Sequence, residues 1–177
     1  MIGCVLLAGG KSSRMNNVDK TLIEINNKTL LSIIINKLNF DKNNIVLNTN
    51  RNPKIFEEYK LNITKDSLEN FQGPLAGILS GLEWFDSQDK NFEWMVSMPI
   101  DTPFFPNNLI EKLYESVSKN NKLIGVAKSN GRNHPVFSIW HISIKEALKE
   151  ALNNNIRKID LFTKTYQPIE VEFTSSI

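Results

Sequence analysis

Cysteine occurs once in these 177 residues, as Cys4 inside an apolar run. A lone buried thiol excludes a disulfide framework and a thiolate zinc cage. Charge of one sign is missing too: Lys+Arg 21 stand against Asp+Glu 19, a formal net charge of +2. No basic stripe marks a nucleic-acid surface, so no nucleic-acid partner is expected. No segment approaches the ~20 continuous apolar residues of a membrane span. Met1 runs into a short apolar stretch with no basic region before it, which reads as a first strand and not as a secretion signal. These absences predict a cytoplasmic globule with no membrane partner. Residues 1–177 are expected to form one domain, long enough to bury ~70% of the unfolded surface. No heptad seam or apolar tail demands a partner copy, so a monomer is expected.

Arginine is scarce, 4 against 17 lysines, while asparagine reaches 23. Pairs such as Asn43-Asn44, Asn107-Asn108 and Asn120-Asn121 fall between periodic segments, where asparagine suits turns and caps. Most are loop residues without chemistry. Two of the few arginines, Arg14 and Arg132, fall inside motif-like stretches.

What is present is alternation. Ile2 to Leu7 is a short apolar run closed by glycines, the mark of a buried parallel strand. Ile45 to Leu47 and Phe92 to Ser97 read similarly, a short strand lies around Ile63, and Ile169 to Phe173 reads as a last strand. Leu123 to Ala127 and Val136 to Trp140 read as strands flanking the turn Asn130-Gly131. Between them, helical spacing follows Thr29, Pro53, Pro74 and Pro106, and again covers Ile144 to Leu152. Thr21 to Ile25 is a brief extended segment turned by Asn26-Asn27. Strands alternating with helices over short loops predict an α/β fold: a three-layer, doubly wound, mostly parallel, Rossmann-like sheet.

Ligands of such sheets sit beyond the carboxyl ends of the strands, and polar residues cluster there. After the first strand come Gly9-Gly10, Lys11, Arg14 and Lys20. Adjacent glycines let backbone N–H groups approach phosphate oxygens, and the cations suit a polyphosphate. Neither a Walker-type loop nor G-x-G-x-x-G occurs. Asp101, between Pro99 and Pro103, suits Mg²⁺ held partly by water and partly by substrate phosphates; capping the next turn is its plainer role. Asp66 comes after the Ile63 strand as a ribose acceptor or a turn cap. Asn48 and Asn50 end the second buried strand, where amides read a base edge or a ribose. Gly73-Pro74 opens a rigid turn able to pass its backbone along a flat ring. The tip at Asn130 to Pro135 presents Arg132 and His134. No serine or cysteine lies in a triad-like motif, so His134 reads as a substrate or phosphate contact.

Together these stretches resemble one family. Leu7-Ala8-Gly9-Gly10 with Ser12, Arg14 and Met15, then Asp19-Lys20, is similar to the signature loop of nucleotidyltransferases with a nucleotide-diphospho-sugar-transferase fold. Lys65-Asp66-Ser67, Gly73-Pro74-Leu75-Ala76-Gly77, Pro99-Ile100-Asp101-Thr102-Pro103 and His134-Pro135-Val136 narrow the resemblance to the molybdenum cofactor guanylyltransferases. It runs in order from Val5 to about Trp140. It implies backbone contacts from Leu7, Ala8 and Gly9 to a guanine nucleotide, with Gly10, Gly73 and Pro74 in the same binding set. It implies Lys20 on the phosphates, Asn48 and Asp66 on base or ribose, and Asp101 on both Mg²⁺ and nucleotide. Lys20, Asp101 and Arg14 would form the catalytic group, with Arg132 and His134 on the acceptor.

The implied reaction joins GTP to molybdopterin-bound molybdenum, giving the guanine dinucleotide cofactor and pyrophosphate. Molybdoenzymes or cofactor-handling proteins would be further partners. Two departures stand out. Asn16-Asn17 replaces the glycine usual after Arg-Met, and the sequence runs to Ile177 without the family's late Asn-x-Asn-Thr-Pro segment. The pterin side of the site is therefore the part expected to differ. Two other readings fit the same residues: a nucleotidyltransferase for a cytidylyl or sugar-1-phosphate acceptor, and a nucleotide-binding module that has lost catalysis.

Overall fold

In the computed structural model, which describes residues 1–8, 22–68, 73–174 and 177, the first strand explains the layering. β1 (Ile2–Leu7) sends Cys4 and Leu6 into one core and Val5 and Leu7 into another, the two-residue alternation of a strand covered on both faces. β2 (Glu24–Ile25) and β3 (Lys28–Thr29) form a separate small hairpin turned by Asn26 and Asn27, both at positive φ. Helix α1 (Leu30–Leu38) starts where predicted, with Thr29 Oγ1 accepting from Ser32 N at 3.2 Å. It ends at Asn39, left-handed at φ 51°. β4 (Ile45–Asn48) and β5 (Asn62–Thr64) come next, then α2 (Pro74–Asp86), β6 (Trp94–Pro99) and α3 (Leu109–Asn120). The chain closes with β7 (Ile124–Ser129), β8 (Arg132–His141), α4 (Lys145–Asn153), α5 (Ile159–Lys164) and β9 (Ile169–Phe173).

Seven strands make one sheet in the order β5-β4-β1-β6-β8-β7-β9. Its parallel pairs are β5–β4, β4–β1, β1–β6 and β7–β9, and β8 runs against both neighbours. Helices α1 and α3 cover one face, with Leu31, Ile34, Leu113 and Val117 buried against Leu6, Leu47 and Val96. Helices α2, α4 and α5 cover the other, with Leu75, Ile78, Leu148 and Phe162 against Val5, Val46 and Met95. Each fully buried aliphatic side chain contributes about 1.5–3 kcal/mol. The predicted three-layer, mostly parallel sheet is therefore observed. No helix among the described residues is long and apolar enough to cross a membrane.

Three local expectations are corrected. The segment opened by Pro53 is a 3₁₀ helix over Pro53–Tyr59, not an α-helix. Its buried side chains, Phe56 and Tyr59, lie three apart and share a face at three residues per turn, leaving Ile55 40% exposed. β8 begins at Arg132, four residues before the expected start, and absorbs Pro135 in a bulge: Val126 faces Ser138, yet Ala127 faces His134. Proline donates no N–H, so a strand accepts it where the ladder is already broken. Helix α5 was unexpected, because six residues with only Ile159, Phe162 and Thr163 buried are too few to display a period.

Candidate active site

Because β1, β4, β5 and β6 are parallel, their carboxyl ends share one edge of the sheet. The chain runs outward from β1 to β4 and β5, then returns through α2 to β6 on the other side of β1. That reversal between β1 and β6 is where an open α/β sheet leaves a ligand crevice. The reversed direction of β8 brings its first residues to the same edge.

Leu7 pairs in register with Asn48 on one side and Pro99 on the other. Ala8 N donates to Asn48 O at 2.9 Å, and Ile100 N donates to Leu7 O at 3.3 Å. The backbone ends of β4, β1 and β6 are thus tied side by side. Asp101, one residue further, is exposed on this edge, with Thr102 Oγ1 near its Oδ1 at 3.4 Å. Asn48 is 2% exposed. Its Nδ2 donates to Asp66 Oδ1 at 3.1 Å, and Asn50 Nδ2 donates to Asp66 Oδ2 at 2.8 Å. Asp66 N donates back to Asn50 Oδ1 at 3.1 Å. The Asp66 carboxylate is therefore bracketed by two amides from the neighbouring strand end.

Helix α2 frames this cluster from one face. Ser80 Oγ accepts from Ser67 N at 2.9 Å, which fastens the segment carrying Asp66. A Cβ on Gly77 would lie 2.4 Å from Asn48 Oδ1 and 2.7 Å from Leu7 Cδ2, so only glycine lets the helix come this close. Gly73 precedes α2 at φ 145°, a conformation L side chains rarely adopt, and Pro74 opens the helix. Gly9, Gly10, Arg14 and Lys20 lie outside the described residues.

At the start of β8, Arg132 is exposed and pairs with Ser129 across the hairpin. His134 Nε2 shares a 2.8 Å hydrogen bond with Ser129 Oγ, and Ser129 is 2% exposed. The hairpin is tied to β9 through Glu170, which accepts from Asn133 Nδ2 at 2.8 Å and Lys128 Nζ at 2.7 Å. Those bonds, Asn133 first, hold the Glu170 carboxyl below its usual 4.5. A depressed carboxyl stabilises the fold above its unfolded value, and the contribution is lost as pH falls through the lower folded one. Hydrogen bonding to Glu170 raises Lys128 above 10.5, so its share is lost only as pH rises through the folded value. Protection of the hairpin-tip amides, taken relative to their intrinsic exchange rate at each pH, is accordingly expected to fall on the acid side, and Glu170→Gln to remove that dependence.

Cys4 takes no part, since complete burial pushes its thiol far up. Among the described residues, no group of three or more His, Cys, Asp or Glu side chains could hold a metal ion. A single exposed carboxylate, Asp101, fits a hard cation whose other ligands are water and phosphate oxygens, and does not fit a protein cage. Two contacts escaped the sequence. Asn50 is read there as an amide for base or ribose, and its hold on Asp66, 16 residues away, has no local signal. The segment carrying Arg157 passes Gly73, its backbone carbonyl 3.7 Å from where a Gly73 Cβ would sit, and nothing in the sequence points to it.

With this geometry in view, comparison with known proteins is direct. The family described as the MobA-like NTP transferase domain matches residues 4–166. A molybdenum cofactor guanylyltransferase of Rhodopseudomonas palustris is 37% identical over 163 residues, 92% of this chain and 76% of that one. One from Haemophilus influenzae is 38% identical over 173 residues, covering 98% and 88% of the two chains. Among solved structures, the molybdopterin-guanine dinucleotide biosynthesis protein A of Archaeoglobus fulgidus superposes with a TM-score of 0.77 at 22% identity, over 97% of this chain and 83% of that one. A cytidylyltransferase of Leptospira borgpetersenii reaches 0.70 at 16% identity, over 99% and 76%, a likeness of fold. The chain belongs to the MobA-like NTP transferases, the nucleotidyltransferase family that holds the molybdenum cofactor guanylyltransferases.

Proposed function

We propose that this protein transfers GMP from GTP to the terminal phosphate of molybdopterin-bound molybdenum cofactor, releasing pyrophosphate. The observation that carries the reading is the lateral run of Asp66, Asn48, Ala8 and Asp101 along the ends of four adjacent parallel strands, in a chain of this family. The cytidylyltransferase likeness is one of fold and does not favour a cytidylyl acceptor.

The acceptor phosphate oxygen attacks the α-phosphorus in line. The bond from that phosphorus to the α–β bridging oxygen breaks, and pyrophosphate leaves with the electron pair. The nucleophile is already an anion at neutral pH, so no strong general base is required. Rate then comes from positioning and charge stabilisation. Leu7, Ala8, Gly9 and Gly10 offer backbone to the nucleotide, and Asn48 and Asp66 hold its base or ribose. Gly73 and Pro74 bound that pocket, and Lys20 with Arg14 neutralises phosphate oxygens. Asp101 would hold a divalent cation, Mg²⁺, which when bound offsets charge on the triphosphate. Arg132 and His134 meet the acceptor.

Calorimetry with GTP, CTP, UTP and ATP in Mg²⁺ tests the nucleotide. GTP is expected to bind tightest, and a clear CTP preference would overturn the guanylyl reading. Pyrophosphate release with GTP plus molybdopterin tests the transfer, because a lapsed module binds GTP and releases none.

A further inference from the structure

We propose that Ser97 is a positioning residue for the acceptor end of the site: through the Val136 carbonyl it holds the β8 bulge from which His134 is presented. The assignment of that end to the acceptor rests on the function proposed above; the mechanical link does not.

Ser97 lies in β6, four residues before Asp101, and is wholly buried. A hydroxyl there is unusual company for Met95, Val96 and Met98, and two polar groups account for it. Trp140 Nε1 donates to Ser97 Oγ at 2.9 Å, satisfying an indole N–H in a fully buried ring. Ser97 Oγ in turn donates to Val136 O at 2.7 Å. Val136 lies within the bulge, between the rungs Val126–Ser138 and Ala127–His134, so its carbonyl has no place in the regular ladder. Ser138, also wholly buried, closes the bulge from inside by donating to Pro135 O at 2.7 Å. The next rung is His134 itself, bonded to Ser129.

One buried hydroxyl therefore fastens the start of β8 to the strand that delivers Asp101. Tilting of residues 135–137 would carry His134 with it, while the nucleotide side, built on β5, β4 and β1, would not move along. This separates the two ends of the site: the defect of a Ser97 variant should appear on the acceptor and not on GTP.

The two duties of Ser97 are separable. Trp140→Phe removes the indole and keeps the bond to Val136, whereas Ser97→Ala removes both. The chain has two histidines, so an imidazole ¹H–¹⁵N spectrum, assigned with a His141→Gln variant, reads His134 without any activity. Ser97→Ala is expected to shift the His134 signals and to raise the acceptor KM by about five- to tenfold, the worth of one hydrogen bond. The KM for GTP should be unchanged. Trp140→Phe is expected to lower Tm while leaving both the His134 signals and the acceptor KM in place. Where Ser97→Ala fails to fold, Ser97→Cys keeps the volume with a weaker donor and should shift His134 in the same direction, less far. Unmoved His134 signals in the serine variant, or equal shifts in both variants, would overturn the proposal. If the unaltered protein makes no product, the proposed function fails, and the imidazole comparison still judges Ser97.

Discussion

Asp101→Ala is expected to reduce divalent-cation-dependent pyrophosphate release by about 10²–10³-fold, the usual loss when a preorganised charge contact is removed from a polar transition state. The fold should survive. Asp101 lies on an exposed loop beyond the β6 ladder, and substitutions at such positions usually change stability by about 0.5 kcal/mol or less. Circular dichroism and Tm are therefore expected to match the unaltered protein while activity collapses. Asp101→Asn sharpens the test, since it keeps shape and removes charge. If charge on the cation and triphosphate is what matters, Asn should be nearly as damaging as Ala, and raising Mg²⁺ should recover little. Wild-type-like turnover in a folded Asp101→Ala protein would remove the residue from the reaction and the proposed chemistry with it.

Gly77→Ala is expected to strike the Asn48–Asp66 end, proposed above to hold the nucleotide. The added methyl would meet Asn48 Oδ1 at 2.4 Å and Leu7 Cδ2 at 2.7 Å. The leucine tip can turn aside; the amide is less free, being nearly fully buried and bonded to Asp66. Either α2 moves away from the sheet or Asn48 leaves Asp66. Overpacking of this kind costs about 1–3 kcal/mol, read as a fall in the denaturation midpoint. Loss of the Asn48–Asp66 bond should weaken GTP by about tenfold. Calorimetry on the folded fraction separates the two effects. GTP affinity equal to that of the unaltered protein would mean that Asn48 does not face the nucleotide.

How much of this could be read beforehand depended on whether the cause was local. Ile2–Leu7 and Ile45–Leu47 announced themselves because a strand buried on both faces has no room for polar residues. Thr29 and Pro74 marked helix starts because capping and a fixed φ act within a single turn. The lateral order could not be read, since pairing β1 with β6 depends on residues some 90 positions apart. β8 lost its first four residues to the same limit. Arg132 to Pro135 look like loop, and only pairing with β7, beside a bulge whose Val136 carbonyl is held by a hydroxyl 39 positions away, makes them strand. The site divides in the same manner. Asp101 and Asn48 were legible because each stands at or just past the carboxyl end of an apolar strand, and Asp66 because it follows the short strand around Ile63. The Asn50 clamp and the approach of the Arg157 segment to Gly73 exist only once the sheet has formed.

The reversal of β8 has a consequence for how such a molecule can change. A loop between a strand and its crossover helix joins two separately packed elements. A hairpin tip joins two strands already paired to each other. Residues added beyond Ser129 and Arg132 leave the registers of β6, β7 and β8 as they are. The edge that carries Asn48, Asp66 and Asp101 thus keeps its frame when the tip beyond Ser129 and Arg132 is lengthened. The β6–β8 seam is the border between the strand ends that carry Asp66, Asn48 and Asp101 and the hairpin that carries His134.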